Sequence, residues 1–171
     1  MAFAFGGMSK IQAMQKFISP FPAGIESQVI ECLLINDDPD EADIFSLALS
    51  RTGLKARCKY ASNGLDALEM LKSGDVPDIV FLDLNMPAIG GKECLMIFRS
   101  MRSLDMVPVV IYSTSTDLYE IQDTKRLGAS HYLAKTPAVN ELAEILQHLF
   151  YRKNLPYWLN LTLDNYERDH Y

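Results

Sequence analysis

The chain has 171 residues, of which 49% are hydrophobic and 22% charged, a composition typical of one soluble globular domain with short additions. Its net charge of -6 at pH 7 argues against a nucleic-acid partner, because such partners require a basic surface. The sequence contains no run of about 18 apolar residues, so neither a transmembrane helix nor a membrane partner is expected. Its three scattered cysteines predict buried, reduced thiols and a cytoplasmic location.

The predicted elements alternate between strands and helices from residue 29 to residue 150. Residues 1–28 are assigned to an N-terminal extension, with a short helix around Lys10–Phe17 that ends at a cluster of proline and glycine. Strands are expected at Val29–Ile35, Ala56–Ala61, Asp78–Leu82, Val107–Tyr112 and His131–Ala134. Helices are expected at Asp40–Thr52, Gly64–Lys72, Gly91–Met101, Asp117–Leu127 and Val139–Phe150. Residues 151–171 are assigned to a C-terminal tail, whose aromatic residues either pack onto the domain or form an exposed partner site.

This alternation predicts a doubly wound α/β domain over residues 29–150, with a five-stranded parallel sheet covered by helices on both faces. The carboxyl ends of parallel strands lie at one edge of the sheet, where such domains bind their ligands. The residues that directly follow the strands should therefore meet there. They are Asn36-Asp37-Asp38, Asp83, Ser113-Thr114 and Lys135.

Clustered carboxylates with a hydroxyl and a lysine indicate phosphoryl chemistry. The carboxylates repel one another unless a cation is present, and oxygen ligands with an open position suit Mg²⁺. The hydroxyl and the ammonium would bind phosphoryl oxygens. An aspartate can itself be the nucleophile and form an aspartyl-phosphate.

These motifs resemble the receiver domain of two-component response regulators. They comprise Asn36-Asp37-Asp38, Asp83-Leu84-Asn85-Met86-Pro87 with Gly91, the strand from Pro108 to Ser113, and Gly128 to Lys135. The resemblance covers residues 29–150 and rests on all four motifs occurring in the right order and spacing. It implies a flavodoxin-like fold with strand order 2-1-3-4-5. It also favours a single-domain signalling protein rather than an enzyme, although receiver domains catalyse their own phosphorylation and dephosphorylation.

The resemblance implies a role for each matching residue. Asp83 would accept a phosphoryl group from a phosphohistidine on a sensor histidine kinase or phosphotransfer protein. Asp37, Asp83 and the backbone carbonyl of Asn85 would bind Mg²⁺. Ser113 would be the switch hydroxyl that turns toward the phosphoryl group, and Lys135 would pair with that group.

Tyr132 matches the aromatic residue whose rotamer couples phosphorylation to a protein-binding face. That face would be made by helix 4, strand 5 and helix 5, and it would bind an output protein that the sequence does not identify. Phosphorylation would pull Ser113 inward and bury Tyr132.

The first departure from the family pattern lies after strand 1, where the family usually has two acidic residues. If the strand ends at Ile35, which is the favoured register, the pair is Asn36 and Asp37. Asn36 would then contact the metal through water at most. A strand longer by one residue would make Asp37 and Asp38 the pair, whereas otherwise Asp38 caps the following helix. We expect the neutral Asn36 to weaken Mg²⁺ affinity while phosphorylation is retained.

The second departure follows Lys135, where the family normally has proline. Here Thr136 precedes Pro137. A cis Lys-Pro bond is therefore excluded, and the isomer of the Thr136–Pro137 bond is left open.

Three rival functions compete with the phospho-acceptor interpretation. The first is a receiver-like interaction module that works without phosphorylation, a hypothesis motivated by Asn36. The second is a phosphatase with an aspartyl-phosphate intermediate, which would need a general acid where Asn85 stands. The third is a flavin-binding protein of the same fold, although acidic loops after strands 1 and 3 are poor hosts for a phosphate-bearing cofactor.

Overall fold

The protein is described from a computed structural model, which describes residues 29–151 and 159–161. The helix expected around Lys10–Phe17 lies outside these residues. The strands are β1 (Ile30–Ile35), β2 (Ala56–Ala61), β3 (Ile79–Leu82), β4 (Val109–Ser113), β5 (His131–Ala134) and β6 (Leu159–Leu161). The helices are α1 (Pro39–Arg51), α2 (Gly64–Lys72), α3 (Gly91–Ser100), α4 (Leu118–Arg126) and α5 (Val139–Tyr151), with a 3₁₀ turn at Arg102–Leu104. None of the described helices has the length and apolar character needed to cross a membrane.

In the part of the chain that the structure describes, the strands form one parallel sheet of order β2-β1-β3-β4-β5-β6. The predicted order 2-1-3-4-5 is confirmed. A sixth strand, which the sequence did not predict, pairs with β5 and places Asn160 opposite Tyr132. Consequently β5 is not the edge strand of the sheet.

Two element boundaries differ from the prediction because of proline. β4 begins at Val109 rather than Val107, since Pro108 has no N–H group to donate to the ladder. α1 begins at Pro39 rather than Asp40, because the fixed φ of proline suits the first position of a helix.

Helices cover both faces of the sheet, as the fold class requires. Alternate strand residues point to opposite faces, so each strand contributes to two separate cores. One core packs the sheet against α1 and α5, with the ring of Phe45 4.7 Å from that of Phe81 and 5.6 Å from that of Tyr112. The other packs the opposite face against α2, α3 and α4.

Arg99 at the end of α3 fixes the loops that lead into β4 and β5. Its guanidinium donates to the carbonyls of Gly128 at 2.8 Å, Leu104 at 3.0 Å and Val107 at 3.1 Å. Burial lowers the pKa of Arg99, while nearby Asp105 raises it. These bonds give partners to the three loop carbonyls, and so help to place the amino ends of both strands.

All three cysteines are free in the structure, and Cys32 and Cys94 are buried as predicted. Burial raises the pKa of Cys58 and of Cys94 to about 11. Burial raises the pKa of Cys32 as well, so all three thiols are protonated near neutral pH and poorly nucleophilic.

A substitution at Gly91, the first residue of α3, tests how closely this helix approaches the backbone at the end of β3. A Cβ there would lie 2.2 Å from the carbonyl oxygen of Asp83 and 2.7 Å from the Cα of Leu84, both backbone atoms. We expect Gly91→Ala to lower the free energy of unfolding by about 2 kcal/mol, although helix propensity alone favours alanine. Urea unfolding followed by circular dichroism measures the change.

Gly90→Ala is the matched control, because the nearest atom to its added Cβ is 3.8 Å away. We expect it to lower stability by less than about 1 kcal/mol. Equal losses in the two variants would contradict the close approach of α3 to β3.

Candidate functional site at the carboxyl edge of the sheet

Backbone hydrogen bonds carry the sheet one residue beyond the ends of its strands. The amide of Asp83 donates to the carbonyl of Ile35 at 2.9 Å, and the amide of Lys135 donates to that of Ser113 at 2.9 Å. The amide of Asn36 likewise donates to the carbonyl of Ala61 at 3.1 Å. The strands therefore hold Asn36, Asp83 and Lys135 at one edge in fixed directions.

Asp83 is almost fully buried, with 4% of its side chain exposed. Its Oδ1 accepts from the amide of Asn85 at 3.1 Å, and its Oδ2 accepts from Nζ of Lys135 at 2.8 Å. Each oxygen of this buried carboxylate therefore has a hydrogen-bond partner. Asp83 is consequently held in one orientation at the edge of the sheet.

Lys135 lies between two carboxylates, those of Asp83 and Glu41. Burial alone would lower the pKa of Lys135, but its hydrogen bonds and charge interactions with these acids raise it overall. Its Nζ also lies 5.5 Å from the centroid of the Tyr112 ring. Lys135 is therefore a held, protonated cation beside Asp83.

Glu41 is a site residue that the sequence reasoning missed. It lies in the first turn of α1, and its Oε2 accepts from Lys135 and, at 2.7 Å, from Nδ2 of Asn36. An acid in the first turn of a helix usually favours the helix dipole, which hides any further role. The available signal was its position six residues after the end of β1.

Asn36, Asp37 and Asp38 occupy different environments. β1 ends at Ile35, as the favoured register requires. Asn36 is buried and its Oδ1 accepts from the amide of Asp38 at 2.8 Å, whereas Asp37 is exposed. Asp38 caps α1 by accepting from the amides of Asp40 and Glu41, which is the alternative role considered for it.

Among the described residues, no three Asp, Glu, His or Cys side chains come close enough to hold a metal ion together.

The donor set is nevertheless suited to Mg²⁺ rather than to a softer metal. Asp83 and Glu41 offer carboxylate oxygens at this edge, and the exposed Asp37 follows the end of the neighbouring strand β1. Mg²⁺ retains several waters and needs only one or two direct carboxylates. The oxygen donors present therefore fit a hydrated magnesium ion.

Ser113 at the end of β4 and Tyr132 within β5 both hydrogen-bond to the loop that follows β4. Ser113 is buried, and its Oγ accepts from the amide of Ser115 at 3.2 Å. The Tyr132 ring is also fully buried, and its hydroxyl donates to the carbonyl of Ser115 at 2.8 Å. Burial raises the pKa of Tyr132, while hydrogen bonds to both serines lower it. Both predicted switch residues thus hydrogen-bond to Ser115, and the tyrosine ring is already buried.

The loop after Lys135 contains the second departure from the family pattern. The described residues contain no cis peptide bond, so the Thr136–Pro137 bond is trans. The hydroxyl of Thr136 donates to Oε2 of Glu141 at 2.6 Å and accepts from the amide of Ala138 at 3.2 Å. Thr136 therefore organises the start of α5.

Comparison with known proteins identifies the family. The family model described as the response regulator receiver domain matches residues 32–147. The chain belongs to the response regulator receiver family. Receiver domains are signalling domains that interact with histidine kinases or phosphotransfer proteins and with output partners.

Individual relatives agree with this assignment. The chain is 34% identical to the chemotaxis protein CheY-3 of Vibrio cholerae over 92 residues, which cover 54% of this chain and 70% of that protein. It spans about half or less of the length of several other curated relatives.

Solved receiver structures share the fold. The phosphorylated cyanobacterial phytochrome response regulator RcpA superposes with a TM-score of 0.66 at 24% identity, over 73% of this chain and 94% of that one. The Mn²⁺-bound response regulator Rcp1 gives a TM-score of 0.62 at 23% identity, over 70% of this chain and 91% of that one. At these identities the likeness extends to the fold alone.

A substitution at Lys135 tests how much the buried ion pair with Asp83 contributes to the free energy of unfolding. We expect Lys135→Met to lower the free energy of unfolding by about 3 kcal/mol near pH 7, because it leaves the buried Asp83 carboxylate without its charged partner. Urea unfolding measures the difference.

Lys92→Met is the control, since Lys92 is 40% exposed and pairs with Asp123 on the surface. This change should cost less than about 1 kcal/mol. Similar losses of unfolding free energy in both variants would show that the buried ion pair of Lys135 stabilises the protein no more than a surface ion pair does.

Proposed function

We propose that the chain is a response regulator whose Asp83 accepts a phosphoryl group from a phosphohistidine on a sensor histidine kinase or a phosphotransfer protein. The observation that carries this proposal is the pairing of a buried Asp83 with the ammonium of Lys135 at 2.8 Å. A nucleophile held next to a fixed cation suits phosphoryl transfer, which depends mainly on positioning and charge stabilisation.

The proposed transfer moves the phosphoryl group from a histidine nitrogen to a carboxylate oxygen of Asp83. A carboxylate oxygen of Asp83 forms the new bond to phosphorus as the bond from phosphorus to the histidine nitrogen breaks, and the imidazole leaves. Lys135 would stabilise the charge on the transferred oxygens. Hydrolysis of the acyl phosphate at the same site would reset the protein, which makes the proposed activity signalling rather than turnover of a substrate.

We propose Mg²⁺ as the cofactor, with Asp37, Asp83 and the carbonyl of Asn85 as ligands and Asn36 acting through water at most. Mg²⁺ would neutralise charge on the phosphoryl oxygens when bound. Support comes from the oxygen-only donors and from the Mn²⁺ in the structure of the related Rcp1. Because Asp38 is engaged as the cap of α1, we propose no direct metal contact for it.

Ser113 and Tyr132 would carry the signal away from Asp83. The sequence predicts that phosphorylation buries the tyrosine, whereas here the ring is buried already and bonded to the carbonyl of Ser115. Phosphorylation would therefore stabilise an inward state that the unmodified chain already populates. Ser113, whose hydroxyl binds the amide of Ser115, would be the part that moves.

An output protein would bind the face made by α4, β5 and α5. Leu118 and Tyr119 at the start of α4 are 66% and 85% exposed and supply apolar contact area. β6 lies along the outer side of β5, so such a partner would also meet this added strand. We propose a cytoplasmic location, which suits the buried free thiols, and neither a nucleic-acid nor a membrane partner.

Replacement of the acceptor tests the proposal. We expect Asp83→Asn to abolish labelling by acetyl phosphate in the presence of Mg²⁺, because an amide cannot form the acyl phosphate. The labelled fraction is measured on a phosphate-affinity gel.

Asp78→Asn, at the amino end of the same strand and exposed, should label like the unchanged protein. Full labelling of Asp83→Asn would refute the assignment. Absence of labelling in the unchanged protein would favour the phosphorylation-independent interaction module.

A further inference from the structure

We propose that Glu41, held by Asn36, supplies the negative charge that position 36 lacks at the Asp83 site and thereby raises the affinity of this site for a divalent cation. This inference rests on the proposed function and deepens it. It also revises the sequence-based expectation that Asn36 leaves the metal site with too little charge. The carboxylate absent from position 36 is supplied by the side chain that Asn36 holds.

The charges of the site lead to this conclusion. Lys135 donates to both Asp83 and Glu41, and its single positive charge cancels only one of them. Asn36 is buried at this edge and adds no charge. Without Glu41, the charges of Asp83 and Lys135 would cancel, and the exposed Asp37 alone among the proposed ligands would add negative charge to attract a cation.

The turn between β1 and α1 fixes the position of Glu41. The Oδ1 of Asn36 accepts from the amide of Asp38, and Asp38 in turn caps the first turn of α1 by accepting from the amide of Glu41. The Nδ2 of Asn36 then donates to the Glu41 carboxylate at 2.7 Å. One asparagine therefore organises both the backbone that precedes Glu41 and its side chain.

The exposure of Glu41 is consistent with a role toward a solvated ion. Its side chain is 28% exposed, against 9% for Lys135 and 4% for Asp83. Oε2 accepts the hydrogen bonds from both Asn36 and Lys135. The negative charge of Glu41 would attract a hydrated cation beside Asp83, either directly or through a water molecule.

A purely structural role is the competing explanation. Glu41 could serve only to link α1 to the loop after β5 through Lys135. A link of that kind would affect stability, whereas the proposed role affects the binding of a cation to the folded, unphosphorylated chain. The two are separated by measuring affinity and stability on the same variants.

Glu41→Gln is the first variant. We expect it to weaken Mn²⁺ binding to the unphosphorylated chain by about tenfold, because a negative charge is lost and the charge of Lys135 is less compensated. Electron paramagnetic resonance of free Mn²⁺ measures the affinity, and competition with Mg²⁺ extends it to that ion. Asp43→Asn, an exposed acid two residues further along α1, is the matched control and should leave the affinity within about twofold.

The double variant Asn36→Asp/Glu41→Gln exchanges the amide and the carboxylate. The hydrogen bond between the two side chains is kept with its direction reversed, and the negative charge stays at the same edge. We expect Mn²⁺ affinity to return to within about threefold of the unchanged protein. Urea unfolding of each variant shows whether it is folded.

The outcomes separate this inference from the proposed function. If the unchanged protein binds Mn²⁺ and is labelled on Asp83 but Glu41→Gln binds equally well, the inference is wrong and the proposed function stands. If the double variant is folded but binds as weakly as Glu41→Gln, the role of Glu41 is structural and the inference is again wrong. If the unchanged protein neither binds Mn²⁺ nor is labelled, both are overturned.

Discussion

A lysine ammonium buried between two carboxylates is the interaction on which this receiver domain depends. Removing Lys135 and Asp83 from water is costly unless each remains paired. The pair is kept by strands whose backbone bonds continue to Asp83 and Lys135 themselves. β3 and β5 are not neighbours in the sheet, so the ion pair reaches across β4 and requires all three strands to keep their register. Sheet order and site geometry are therefore one constraint.

The same interaction explains why the edge of the sheet suits a reversible modification. Adding a phosphoryl group to Asp83 would replace one anion by a larger one with more negative charge, and Lys135 is already in place to meet it. Glu41 would then have to share the ammonium with the new group. The loop that begins at Ser113 adjoins this change in charge, and the Tyr132 hydroxyl is bonded to that loop. A change in charge at Asp83 could thus alter the face formed by α4, β5 and α5 through the hydrogen bonds of Ser113 and Tyr132.

Sequence alone predicts the sheet and the position of Asp83 and Lys135 at its edge well, because continuous apolar runs followed by these residues identify buried parallel strands and their ends. It does not reveal Glu41, since an acid in the first turn of a helix has an ordinary local explanation and its partner lies 94 residues away. It also misses β6, because three residues are too few to show a strand period. The inward position of Tyr132 depends on packing and on a loop carbonyl, neither of which leaves a sequence pattern.

Chemical mapping of the phosphorylated carboxylate tests the central claim most directly. Borohydride reduces an aspartyl phosphate to homoserine, which peptide mass spectrometry can locate after treatment with acetyl phosphate and Mg²⁺. The account predicts that Asp83 is converted, and only when both donor and metal are present. Conversion at another acid of the same edge, such as Asp37 or Glu41, or no conversion at all, would contradict it.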